Sequence, residues 1–257
     1  MNKFFKKLIP NKVLSNFGYT GIRPKSFFAQ NIDIKEDIAT KYDYNGPLLD
    51  IFASNQGPLV HKWHHYIPLY DRYLETYRNQ PIKFLEIGVA EGGSLHMWRR
   101  YFGEDAAIYG IDIDPACEQF NNLDGQVRIG SQSDKTFLSN VIDEMGGVDV
   151  VLDDGSHHMH DIKSSFDYLY PMLNVRGIYI IEDLHTSYWR RYGGGYGVKN
   201  NFFNFVRDSI DDLHRWYHGN AIKNSAIAEH CSGIHIHDSM VVFEKNTVYK
   251  PVSSKVG

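Results

Sequence analysis

Nine residues, Asp153 to Asp161, hold Asp153, Asp154, His157, His158, His160 and Asp161, and the run Glu182, Asp183, Leu184, His185 follows about twenty residues later. Carboxylates from two such segments, brought side by side, make an all-oxygen site suited to Mg²⁺, Mn²⁺ or Ca²⁺. Asp154, Glu182 and Asp183 are the expected metal ligands, because three clustered carboxylates repel one another without a cation. The competing reading has Asp153 and Asp161 capping a helix and Glu182 and Asp183 ending a strand in water. His157 stands three residues after Asp154 and faces the same crevice, which makes it the candidate general base beside Asp154. His158 and His160 read as structural.

A second constellation lies upstream, in E86-I-G-V-A-E-G-G-S94 followed by D112-I-D114. Small residues after a strand let a ligand approach the backbone, and an acidic side chain 26 residues after Glu86 can accept hydrogen bonds from both ribose hydroxyls. The expected cofactor-binding set is Glu86, Gly88, Glu91, Ser94, Asp112 and Ile113, with Ser131, Gln132 and Asp153 at the ends of later strands. NAD and S-adenosylmethionine both fit this order of signals. Ala90 stands where a tight pyrophosphate cradle wants glycine, which counts against NAD, whereas S-adenosylmethionine carries no diphosphate. Tyr66, His185, Tyr188, Trp189 and Arg190 are the expected substrate contacts, the last three in a glycine-rich loop, S187-Y-W-R-R-Y-G-G-G-Y-G-V198, that would close over an acceptor. An ordinary surface loop is the alternative.

These residues need strands to carry them, and from residue 82 onward short apolar runs alternate with amphipathic stretches, as in a parallel sheet covered by helices. Strands are expected over 82–88, 107–112, 126–129, 149–152 and 178–183. Helices are expected through Leu95, Met97 and Trp98, over 134–145 with Ser133 as N-cap, and through Ile162, Phe166, Leu169 and Leu173, with Gly177 turning into the fifth strand. The tail from Gly233 alternates apolar and polar residues and predicts an antiparallel hairpin turning at Lys245-Asn246. The expected fold is thus α/β, a Rossmann-like sheet that is mostly parallel with an antiparallel C-terminal hairpin. Residues 1–80 are expected to form a helical N-terminal cap, and 81–257 the catalytic domain.

Composition narrows the partners. A formal charge of -4 gives no dominant positive field for nucleic acid, and no apolar run approaches the roughly 20 residues that cross a bilayer. Cys117 and Cys231 stand far apart, outside any C-x-x-C pair, so no disulfide framework is expected and a reducing cytoplasm fits. The basic start, with Phe4, Phe5, Leu8 and Ile9, permits a second reading, peripheral attachment to the inner face of a membrane. A small-molecule or nucleotide-sugar substrate and a homo-oligomer are expected.

The segments FLEIGVAEGGSLHMW (84–98), YGIDIDP (109–115), VLDDGSHHMHD (151–161) and IYIIEDLHTSYWRRYGGG (178–195) resemble the metal-dependent macrolide-sugar O-methyltransferases of the mycinamicin and macrocin type. That group extends to bacterial capsule and cephalosporin-hydroxylase-annotated relatives. The resemblance covers about residues 50 to 195 and implies a class I methyltransferase sheet that uses S-adenosylmethionine with Mg²⁺ or Mn²⁺. By the same resemblance, Asp154, Glu182 and Asp183 hold the metal, His157 acts as base, and Glu86 and Asp112 serve the cofactor. The implied acceptor is a sugar hydroxyl, on a nucleotide-activated sugar of capsule or polysaccharide synthesis or on a glycosylated natural product. Relatives commonly carry Asp-Lys where this chain has Asn55-Gln56, which points to a different acceptor. An Fe(II)-type hydroxylase, a catechol-like O-methyltransferase and a non-catalytic partner protein are the competing functions.

Overall fold

Apolar runs bounded by glycines, acids and asparagines fold here as strands, and the central ones are covered on both faces. The computed structural model describes residues 32–257, and the basic start with Phe4, Phe5, Leu8 and Ile9 lies outside the described residues. β1 (Lys83–Ile87), β2 (Ala107–Asp112), β3 (Gln126–Ile129), β4 (Val148–Asp153) and β5 (Leu173–Ile181) run parallel, and β6 (Cys231–His237) and β7 (Met240–Lys245) join antiparallel. The seven strands stand in the order β3-β2-β1-β4-β5-β7-β6. The winding reverses between β1 and β4, where loops at the carboxyl ends part and leave a crevice.

Strand alternation sorts the side chains into two layers. Phe84, Val150, Leu152, Ile178, Ile180 and Val242 face one side, against α1 (Ile34–Tyr42), α2 (Pro47–Ala53), α3 (Tyr66–Leu74) and α4 (Gly93–Phe102). Trp98 centres this layer, with its ring 5.2 Å from Tyr70, 5.4 Å from Phe84 and 5.8 Å from Phe102. Leu85, Ile87, Val151, Tyr179, Ile181 and Phe243 face the other, against α5 (Lys135–Met145), α6 (Met159–Met172), α7 (Phe202–Leu213) and α8 (Ser225–His230). The cap helices α1 to α3 thus share the core of the sheet.

Several local expectations move by a few residues. Asp134, not Ser133, caps α5, because its carboxylate accepts from Thr136 N and Phe137 N. Pro171 halts α6 at Met172, so Leu173 and Gly177 belong to β5 instead of a helix and its turn. The hairpin turns at Asp238-Ser239, with Ser239 at φ 63°, and Lys245 ends β7 with its ammonium on the carbonyls of Pro171 and Leu173. Among the described residues no helix is long and apolar enough to cross a membrane.

Phe166 stacks on Tyr170 at 4.9 Å and meets Phe243 at 4.6 Å, Tyr179 at 5.1 Å and Phe205 at 5.2 Å. Phe166→Ala is expected to cost about 3–5 kcal/mol in urea unfolding, the range for a large side chain removed from a packed core. A loss under about 1 kcal/mol would contradict this packing.

Candidate active site

Register brings the acidic residues together. Ile87 pairs with Asp153 and Asp153 with Ile181, so Gly88, Asp154 and Glu182 leave the sheet side by side. Gly88 is required there. At φ +99° it adopts a conformation that L side chains rarely take, and a Cβ would lie 2.2 Å from the Asp154 carbonyl oxygen.

Two aspartates divide their oxygens in the same way. Asp154 accepts from Lys62 Nζ through Oδ2 at 2.6 Å, while its Oδ1 lies 3.7 Å from His157 Nε2. Asp183 accepts from Trp63 Nε1 at 3.1 Å and Tyr66 Oη at 3.0 Å through Oδ1, while its Oδ2 also lies 3.7 Å from His157 Nε2. Each carboxylate is therefore anchored on one side and presented on the other. One ligand atom from each of Asp154, His157 and Asp183 falls within 4.8 Å of the others, a spacing that a metal ion can bridge. His157 (φ 57°) and Asp183 (φ 54°) both adopt the left-handed conformation, a local cost that the surrounding contacts sustain at this crevice.

Glu182, expected as the third ligand, turns elsewhere. It is 2% exposed, and Lys62 Nζ donates to its two oxygens at 3.1 and 3.2 Å. Burial first, and then Asp154, raise the Glu182 carboxyl well above its ordinary range against the opposing effect of Lys62. Lys62 also stands 3.9 Å from Glu86. Burial lowers the affinity of that ammonium for its proton, but Asp154, Glu182 and Glu86 outweigh it and raise its pKa. Sequence reasoning missed Lys62, which sits in the aromatic stretch H61-K-W-H-H-Y66 and reads there as an ordinary exposed lysine.

Strand alternation also separates two residues expected to touch a cofactor. Glu86 points toward α4, fully buried, accepting from Ser94 Oγ at 2.7 Å and Trp98 Nε1 at 3.1 Å. Burial, opposed by Lys62, Ser94 and Trp98, pushes its carboxyl up to about 7. Asp153 points to the opposite layer, accepting from Gln132 Nε2 at 3.1 Å, Ser165 Oγ at 2.6 Å and Tyr179 Oη at 3.0 Å. Both support the crevice from beneath, and neither lines it.

Two cavities meet over Gly88, Ala90, Asp154 and Gly155. One, of about 220 Å³, is lined by Gly88, Asp112, Ile113, Ser131 and Gln132 among others, five of the residues expected to bind a cofactor. Asp112 holds its mouth, accepting from Val89 N and Ala90 N through Oδ2 and from Asp114 N through Oδ1. Burial pushes this carboxyl up, but the amides of Asp114, Ala90 and Val89 prevail and hold it below its usual pKa. The other cavity, of about 290 Å³, is walled by Leu59, Lys62, Trp63, Glu91, Ser94, Asp154, His157, Glu182 and Asp183 among others. Glu91 and Ser94 thus face the acidic cavity.

The expected substrate residues scatter. Tyr66 is fully buried and braces Asp183. His185 Nδ1 shares a 2.7 Å hydrogen bond with Ser239 Oγ, its ring packs between Trp63 and Trp189, and burial lowers its pKa. Tyr188 stacks on Phe203, 5.7 Å away, and lines a separate cleft between α7 and β6. Trp189, between two short 3₁₀ turns, and Arg190, at the start of the second, line neither of the two joined cavities.

Comparison with known proteins agrees with this geometry. A family model described as a methyltransferase domain matches residues 85–184. The 8-demethyl-8-(2-methoxy-alpha-L-rhamnosyl)-tetracenomycin-C 3'-O-methyltransferase of Streptomyces olivaceus is 35% identical over 199 residues, 71% of this chain and 50% of that protein. Demethylmacrocin O-methyltransferase of Streptomyces fradiae is 32% identical over 202 residues, 73% of this chain and 51% of that protein. The chain spans about half the length of the curated relatives it matches. Among solved structures, the MycE methyltransferase from the mycinamycin biosynthetic pathway, in complex with Mg, SAH and mycinamycin VI, is 28% identical. It superposes with a TM-score of 0.68 over 85% of this chain and 54% of its own. Residues 85–184 thus match a methyltransferase domain, and the chain is similar to O-methyltransferases that act on glycosylated tetracenomycin and on demethylmacrocin.

Proposed function

We propose that the chain transfers a methyl group from S-adenosylmethionine to a sugar hydroxyl, assisted by Mg²⁺ or Mn²⁺. The observation that carries this reading is the junction of the two cavities. A nucleoside-sized pocket bounded by Asp112 opens onto an acidic pocket in which Asp154, His157 and Asp183 converge.

The residues fit both groups. Three carboxylates, Glu86, Asp154 and Glu182, lie within 3.9 Å of one ammonium, that of Lys62, and Asp183 adds a fourth beside them held by the neutral donors Trp63 and Tyr66, which leaves negative charge that a divalent cation would balance. Asp154 and Asp183 give an oxygen donor set, as hard cations prefer, and a single histidine, His157, stands beside it, where a two-histidine iron site would need a second. Asp154 and Asp183 would hold the ion through their presented oxygens, with Glu182 beside them. Gly88, Ser131 and Gln132 line the donor's pocket, Asp112 would accept from its ribose, and the exposed Ile113 side chain offers an apolar face to a purine.

When bound, the cation supplies positive charge that lowers the acceptor hydroxyl's pKa, and the donor supplies a methyl already activated by its sulfonium. This chain's residues do the rest. His157 Nε2 takes the hydroxyl proton from a position between the two aspartates, 3.7 Å from each. Trp63 walls the acceptor pocket, and Tyr66 holds Asp183 in place. Most of the acceleration then comes from orientation and electrostatics. The proposal covers two acceptor classes, a nucleotide-activated sugar and a glycosylated natural product, made in cytoplasmic synthesis of a polysaccharide or secondary metabolite.

Purified protein, labelled S-adenosylmethionine and a panel of both acceptor classes test the assignment. Transfer to a sugar hydroxyl is expected. Labelling of no sugar, with transfer to a catechol instead, would overturn it. Exhaustive EDTA treatment is expected to abolish transfer and Mg²⁺ or Mn²⁺ to restore it, whereas undiminished turnover after chelation contradicts the cation's role. His157→Asn, which tolerates the left-handed backbone, should lower kcat about 10²–10⁴-fold with donor affinity intact. An unchanged kcat removes His157 as the base. Asp112→Asn should weaken binding of S-adenosylhomocysteine in calorimetry about tenfold or more, and unaltered affinity would move the donor out of this pocket.

A further inference from the structure

Lys62 stands 2% exposed in its side chain at the meeting point of Asp154, Glu182 and Glu86. It occupies both oxygens of Glu182 and one of Asp154, so it withholds from the acidic cavity oxygens that would otherwise face a cation. The segment that carries it is pinned on both sides. Leu59 crosses α4 so closely that a Cβ on Gly93 would lie 2.2 Å from its carbonyl oxygen, and Trp63 and Tyr66 are bonded to Asp183. These contacts fix the backbone from which the Lys62 side chain reaches the acidic residues.

We propose that Lys62 is a built-in counter-ion that competes with the divalent cation for the acidic strand tips, setting cation affinity and tying it to the Leu59–Tyr66 segment. The proposal rests on the cation reading above. An ammonium and a divalent ion sharing the Asp154 carboxylate repel one another at short range in a poorly solvated site. Without a cation, Lys62 keeps Asp154 and Glu182 from repelling each other and holds the crevice together. With one, its positive charge opposes binding, which keeps the site exchangeable. Lys62 is thus a positioning residue, acting through Asp154 and Glu182.

The test is Mn²⁺ titration by calorimetry, paired with thermal unfolding in EDTA and in saturating Mn²⁺, for the wild type, Lys62→Met and Lys62→Arg. Lys62→Met is expected to bind Mn²⁺ at least about tenfold more tightly and to show a larger Mn²⁺-induced rise in Tm, because its cation-free state keeps buried carboxylates unpaired. Lys62→Arg should return both values toward the wild type. If Lys62→Met unfolds in EDTA, Mn²⁺ during purification should rescue it, and Lys62→Gln, uncharged but still a donor, should behave likewise. Unchanged or weaker Mn²⁺ affinity in the neutral variants, or no rescue by Mn²⁺, overturns the proposal while leaving the cation site standing. Absence of Mn²⁺ binding in the wild type and variants alike removes the cation site itself.

Discussion

Negative charge gathered at neighbouring strand tips is the constraint that the rest of the structure answers. Parallel pairing in register delivers Gly88, Asp154 and Glu182 to one edge, and Asp183 follows immediately. Carboxylates this close and this buried are tolerated only with compensating cations and donors. The chain supplies one ammonium from Lys62, an indole N–H from Trp63 and a phenol from Tyr66, all within the five residues that lead into and open α3. The cap is therefore more than a lid on the hydrophobic layer, because it carries the groups that make an acidic crevice foldable.

Compensation on one side leaves the other side available. Asp154 and Asp183 each spend one oxygen on the cap and aim the second toward His157, whose left-handed backbone keeps its ring between them. The mouth of the neighbouring pocket is held by Asp112, anchored by three backbone amides. Gly88 and Ala90 lie between the two cavities. A donor and an acceptor seated on either side would meet above Gly88, where a side chain would clash with the Asp154 carbonyl.

Much of this was legible from sequence, for physical reasons that differ by element. Central parallel strands are buried on both faces and so read as apolar runs, which is why β1, β2 and β4 fall within about a residue or two of expectation. Chain ends and edges carry weaker signals. The C-terminal hairpin turns at Asp238-Ser239 because Ser239 takes positive φ, while the expected Lys245-Asn246 turn is a strand end whose lysine is drawn to buried carbonyls. Ser133 and Asp134 are both good caps, and only geometry selects Asp134. Side-chain direction was harder. Glu86 and Asp153 both precede the crevice in sequence, yet alternation along their strands turns them into opposite layers of the core. Lys62 was invisible, since a single lysine among histidines and aromatics gives no periodic signal, and its partners lie 92 and 120 residues away. The excess of acid over base in residues 151–185 was the one available hint that a cation must come from elsewhere.

A divalent cation between Asp154 and Asp183, beside a methyl donor held by Asp112, is the centre of this account. Anomalous diffraction from crystals grown with Mn²⁺ and S-adenosylhomocysteine measures it directly. A manganese peak within coordination distance of Asp154 Oδ1 and Asp183 Oδ2, adjoining the ligand in the Asp112 pocket, is the predicted result. A peak elsewhere, or none with the ligand bound, would contradict it.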